Sequence, residues 1–143
     1  MSFDLRDHTA DVAVEATAPT LAALFESVAD GLAAASCEAV PGTGERFEFT
    51  VTAESREALL FDYLDRLIYE RDVRLVLPAA HRCAVAESEG SESSGTREWT
   101  VEATARGIPI GDVAAREVKA VTYSEMTLER RGDEWYAYVV FDV

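Results

Sequence analysis

The stretch Trp135-Tyr136-Ala137-Tyr138-Val139-Val140-Phe141 decides the fold. It is apolar at both odd and even positions, so neither face of a strand built from it suits water. Such a strand belongs in the middle of a sheet with cover on each side. Asp142 follows directly, which puts a carboxylate at the exit of a central strand, on the sheet's rim.

A central strand needs neighbours, and the sequence supplies them. Val118 to Tyr123 and Met126 to Arg130 read as two strands, with Arg131-Gly132-Asp133 as the turn into the last one. At the other end, Asp11 to Ala18 reads as a strand with Val12 and Val14 on one face. Phe3 to Leu5 reads as a short strand or an entry segment before it, and Asp7 to Asp11 as a turn. A strand near the start and a strand at the finish often pair, so Asp11 and Asp142 are expected to meet.

Between these ends the hydrophobic period alternates between helix and strand. Leu21, Leu24, Phe25, Val28 and Leu32 recur at helical spacing, with Thr20 as N-cap and an end near Ala35-Ser36. Pro41-Gly42-Thr43-Gly44 is a turn. Arg46 to Thr52 has period two, with Phe47, Phe49 and Val51 inward. Ser55 caps a second helix whose buried stripe is Leu60, Tyr63, Leu64, Leu67 and Ile68, ending near Tyr69 to Arg71. Asp62, Asp65 and Arg66 fall on its other faces.

Val73 to Leu77 reads as a short strand stopped by Pro78, and His81 to Ala86 as another. Glu87 to Thr96, rich in Ser, Gly and Glu, reads as a solvated, mobile hairpin loop. Trp99, Val101, Ala103 and Ala105 form the returning strand, and Ile108-Pro109-Ile110-Gly111 breaks the pattern. The order implies an α+β fold: two amphipathic helices packed on an extended, largely antiparallel multi-stranded sheet. With 143 residues, no repeat and no linker-like break, residues 1–143 read as one domain.

Charge narrows the function classes. There are 27 acidic residues against 13 basic, a net charge of -14, and Lys119 is the only lysine. Such a surface keeps a protein dispersed at high salt and suits a salt-rich cytosol. It offers no basic patch to displace counterions from phosphates, which argues against direct nucleic-acid binding. No apolar run approaches the ~20 residues of a membrane span, and no basic-then-apolar leader is present. The expectation is a soluble, cytoplasmic protein. Cys37 and Cys83 form no C-x-x-C pair and read as small buried hydrophobes.

Candidate chemistry gathers at the two ends. Asp11, Asp142 and the carboxylate of Val143 carry the oxygen donors that Mg²⁺, Mn²⁺ or Ca²⁺ take. The structural alternative makes Asp11 a turn cap and Asp142 a solvated residue. His8 is a base, a ligand, a phosphate contact or a hydrogen-bonded turn residue. Lys119 offers a point charge to an acidic partner or phosphate, or simply faces water. His81 has no constellation around it and reads as surface or strand filler. There is no P-loop, G-x-G-x-x-G, G-x-S-x-G or H-E-x-x-H.

Three stretches together resemble the archease family. They are His8-Thr9-Ala10-Asp11, the helix around Leu59-Leu60-Phe61-Asp62-Tyr63-Leu64, and Lys119-Ala120-Val121-Thr122-Tyr123 with the closing Val139-Val140-Phe141-Asp142-Val143. They occur in the family's order across nearly the whole chain. The resemblance implies a small α+β protein, not itself an enzyme, that activates the RtcB-type tRNA-splicing ligase. It implies promotion of the ligase's GTP-dependent guanylylation and multiple turnover, with tRNA met only through the ligase. It also implies a divalent cation held by Asp11, Asp142 and Val143. Asp62, with His8 and Lys119, is then a partner-contact or supporting residue. Two positions depart from the family pattern: Ala13 stands where a glycine is common, and Ser124 where histidine is common. A stand-alone metal-dependent phosphoesterase and a metal-free chaperone or adaptor are the competing readings.

Overall fold

The structure is a computed structural model that describes residues 11–37, 39–89, 97–113 and 115–143. The elements run β1 (Asp11–Ala18), α1 (Leu21–Ser36), β2 (Glu45–Ala53), α2 (Arg56–Arg74), β3 (Val76–Glu89), β4 (Arg97–Pro109), a 3₁₀ turn (Ile110–Asp112), β5 (Ala120–Arg131) and β6 (Glu134–Asp142). Phe3 to Leu5, the turn before Asp11, His8 and the loop at 90–96 lie outside the described residues.

The strands divide into two antiparallel sheets of three, β1-β6-β5 and β2-β4-β3, rather than one extended sheet. In the first, β6 is central, as its two-faced apolar sequence demands. β1 pairs with it from Asp11↔Asp142 to Ala18↔Trp135 without a break in register. Both helices touch strands of both sheets, and the main core is assembled there.

Local chemistry sets the helices. The Thr20 hydroxyl accepts from the Ala23 N–H at 3.1 Å, and the Ser55 hydroxyl from the Ala58 N–H at 3.1 Å. Each satisfies a first-turn donor that has no partner within its helix. α1 buries Leu24, Phe25, Val28 and Leu32. Gly31 lets it lie directly on β1, because a Cβ there would come within 2.5 Å of Val14 Cγ1. From α1 through α2 to β2 runs a stack of rings, Phe25–Tyr63–Phe49–Phe47, with centroids 5.7, 5.9 and 6.1 Å apart. These separations lie within the favourable range for offset aromatic pairs.

Three boundaries differ from the sequence reading, each for a physical reason. α2 continues past Tyr69–Arg71 to Arg74, so Val73 is helical. Glu70, buried at 4 % exposure, accepts from Arg66 Nε at 2.9 Å and from Arg74 Nε, both four residues away. These pairs hold the last turn until Leu75 ends it in the left-handed region at φ 56°. Pro78 does not stop a strand: β3 runs through it, paired with Gly107. β3 is an edge strand, so a missing N–H on its free side costs nothing. The chain does kink just beyond, with a register shift between Ala79 and Arg82 and Ala80 at φ 50°. Likewise β5 is one strand, not two, with a bulge between Thr122 and Thr127 and Glu125 at φ 59°.

The free edge of β3 is covered by carboxylates from α1. Glu26 Oε2 accepts from the Cys83 N–H at 2.9 Å, and Asp30 Oδ1 from the His81 N–H at 3.3 Å. These contacts answer edge donors that would otherwise invite another strand.

Candidate functional site

The strand pairing delivers Asp11 and Asp142 to one place. They are direct partners across the β1–β6 ladder, at its last register position. Opposed residues of an antiparallel pair project from the same face, with Cβ atoms about 4.5–5.5 Å apart. Ala120 is the partner of Asp142 on the other side, and the Lys119 N–H donates to the Asp142 carbonyl at 2.8 Å. The only lysine is therefore tied by its main chain to the residue that closes the central strand. Its side chain is exposed, Asp142 is exposed, and Asp11 and Val143 are half-buried. Val143 also packs against the main core, which anchors the end of β6.

Two like carboxylates side by side on a rim repel unless a cation or donors sit between them. The residues present fit a hard divalent ion in donor type: two facing carboxylates, open to water, with main-chain oxygens beside them. The fit is partial in number. Among the described residues no group of three or more His, Cys, Asp or Glu is arranged to hold a metal.

Asp62 is not part of this pair. It lies on the outward side of α2, where Phe61 stacks on Tyr123 of β5 with centroids 4.0 Å apart and planes 4° apart. Burial, and then the nearby Asp65 charge, raises the Asp62 carboxyl above the usual range. Burial, and then Asp62, likewise raises the Tyr123 phenol.

His81 is neither at the surface nor filler. It is 5 % exposed, and neither ring nitrogen makes a well-aligned hydrogen bond among the described residues, the Pro78 carbonyl being a weak acceptor beside the ring. Burial pushes its pKa down to about 4. The alternating pattern around it gave no hint, because the bulge at Ala79–Arg82 turns it inward. Cys37 is buried and Cys83 half-buried, both as free thiols. Burial, followed by the Glu26 charge, pushes the Cys83 thiol up to about 12, which removes it as a nucleophile.

A second polar feature escaped the sequence reading. A cleft of about 610 Å³ runs between the edge of β1 and α1, lined by Glu15, Thr17, Asp30, Gly31, Arg131 and Tyr136 among others. In it the Tyr136 hydroxyl donates to Glu15 at 3.1 Å, and the Arg131 guanidinium lies 3.5 Å from the Tyr136 ring centroid. No sequence signal joins residues this far apart.

No helix of the described residues is long and apolar enough to cross a membrane. The Archease protein family model matches residues 3–143. A protein archease of Methanosarcina acetivorans is 31% identical over 146 residues, covering 99% of this chain and 95% of its own. A protein archease of Pyrococcus furiosus is 27% identical, covering 96% and 95%. The solution structure of a Methanobacterium thermoautotrophicum protein superposes with TM-score 0.71 at 27% identity, covering 96% of each chain. The crystal structure of a Thermotoga maritima archease, described as a possible chaperone, gives 0.64 at 26% identity, covering 100% and 98%. A family model spanning almost all of the sequence and full-length relatives near 30% identity leave one conclusion: the chain belongs to the archease family.

Proposed function

We propose that this chain is a cation-binding accessory protein, not itself a catalyst, that activates an RtcB-type RNA ligase in tRNA splicing. It promotes the ligase's GTP-dependent guanylylation and so its multiple turnover. The observation that carries this reading is the register pair Asp11↔Asp142 at the rim of the β1-β6-β5 sheet. Supporting it are the resemblance at Lys119–Tyr123 and the main-chain bond from Lys119 to Asp142.

Asp11, Asp142 and an oxygen of Val143 would hold a divalent ion, Ca²⁺, Mg²⁺ or Mn²⁺. Bound there, the ion supplies charge stabilisation for phosphate oxygens that gain negative charge during nucleotidyl transfer. The two aspartates are held side by side by the strand ladder, so their spacing is fixed before any ion arrives. Asp142 is exposed and Asp11 half-buried, which leaves coordination positions open on the solvent side. Lys119 adds a positive charge one residue from the strand end, suited to an acidic group or phosphate of the ligase complex.

The test is multiple-turnover ligation by the cognate ligase with GTP and divalent metal. Adding this chain should raise the number of products per ligase. Asp142→Ala should abolish the gain while the circular dichroism spectrum stays that of the parent. A variant that stimulates as well as the parent refutes the cation reading. RNA end-processing by the isolated chain with Mn²⁺ and no ligase would replace the accessory reading with that of a phosphoesterase.

A further inference from the structure

Six large apolar side chains are exposed among the described residues, and five of them lie together along the outside of α2. Tyr69, Val73 and Leu75 are 56%, 60% and 66% exposed, in the second half of the helix and its cap. Tyr123, 56% exposed, extends the strip at one end through its stack on Phe61. Ile110 extends it at the other, where its N–H donates to the Leu75 carbonyl at 3.0 Å. From Phe61 to Arg74 a helix spans about 20 Å. Scattered apolar residues need no explanation, but two apolar groups along one helix, Phe61 with Tyr123 and Tyr69 with Val73, Leu75 and Ile110, include two exposed tyrosines and have the composition of a protein interface, with Arg66 lying 5.8 Å from the Tyr69 ring.

Two further features say what covers it. Beside Leu75 and Ile110 opens a cleft of about 260 Å³, also lined by Leu77, by Arg116 and Glu117, and by Arg71 and Asp72, which pair with each other at 3.0 Å, so the cleft is balanced in charge and suits one apolar anchor side chain. Asp62 and Asp65 stand along the strip, and neither is ion-paired among the described residues. The complementary surface is therefore an apolar ridge flanked by arginine or lysine. A second copy of this chain is disfavoured, because it would set aspartates against aspartates on molecules of charge -14. A nucleic-acid backbone is disfavoured for the same reason.

The geometry points to the outward face of α2, from Tyr123 to Ile110, as the docking surface for a basic, apolar patch on the partner protein, separate from the Asp11–Asp142 rim. This rests on the accessory reading above, which supplies the ligase as partner.

The experiment measures affinity of the full chain for the cognate ligase by calorimetry or interferometry over a range of salt. The variants are Tyr69→Ala/Val73→Ala and Asp65→Lys. All the substituted side chains are exposed, and thermal melts check that each folds. The double variant should bind at least about tenfold more weakly, the range of an interface anchor. Asp65→Lys should weaken binding and flatten its salt dependence. A parent that binds the ligase while the double variant binds equally well overturns the docking surface and leaves the accessory reading intact. A parent that binds no ligase overturns both. Self-association of the parent in sedimentation, lost in the double variant, reassigns the face to a second copy and also overturns the proposal.

Discussion

Acid should unfold this protein through His81 before it reaches most carboxylates. The imidazole is 5 % exposed, and its pKa falls from 6.5 to about 4 on folding. Because the folded value is depressed, the neutral form is the one that fits. The stability tied to that neutrality is complete above pH 6.5 and lost as pH falls through 6.5 towards 4. A shift of this size corresponds to about 3 kcal/mol at most, a large part of a small domain's stability. Charged and titratable groups around the ring belong to several elements. Asp30 of α1 accepts from the His81 N–H, Arg46 of β2 donates to the Ala80 carbonyl at 2.7 Å, and Arg71 of α2 lines the same small cavity. The perturbation is His81→Leu, which keeps volume and removes titration. Urea unfolding at pH 7 and pH 5 under constant salt reads it out. The parent should lose on the order of 2 kcal/mol between the two values, and His81→Leu should lose markedly less. Equal slopes in the two proteins would refute the argument, since carboxylates alone would then carry the acid response.

Further expectations follow from contacts already described. Gly31→Ala should destabilise by about 1–3 kcal/mol, because its methyl drives into Val14 of β1; a thermal melt at or above the parent's would contradict that packing. Glu70→Gln should lower stability at neutral pH and remove a pH-dependent increment. Burial pushes the Glu70 carboxyl up, but the Arg74 and Arg66 guanidiniums outweigh it and hold it below the usual range. Its contribution is therefore present above pH 4.5 and lost as pH falls through the lower folded value, which denaturation against pH will show. Calorimetric titration with Mn²⁺ or Ca²⁺ should give a binding isotherm for the parent and none for Asp11→Ala; equal isotherms would place the ion elsewhere. Raising salt should raise the melting temperature, since net charge -14 opposes compaction at low ionic strength.

How much of this was legible in the sequence depends on the range of the interaction. β1, α1 and β6 were readable because period, cap and burial agree within each segment. The Asp11–Asp142 meeting was readable from the ends because a two-faced apolar strand must be central and β1 is available to flank it. The division into two sheets was not readable, since alternation says which residues face inward but not which strands share a ladder. The bulges in β3 and β5 were invisible because nothing local marks Ala80 or Glu125 for a left-handed backbone. Without the first bulge His81 reads as an outward residue. Glu26 and Asp30 were hidden by abundance: among 27 acidic residues, nothing distinguishes the two that close a sheet edge. The exposed strip on α2 was hidden by its helix, because Tyr69 and Val73 lie just off a stripe that is itself apolar.

Pairing the first described strand with the last has a temporal cost during synthesis. Glu15 and Tyr136, bonded in the finished molecule, are 121 residues apart. At ordinary elongation rates β1 waits on the order of ten seconds for its neighbour to be made. Throughout that interval the nascent polypeptide has one aspartate of the rim and no ladder to hold it. The cation site we propose there would form only once translation has passed Asp142, so partly made chains would lack it.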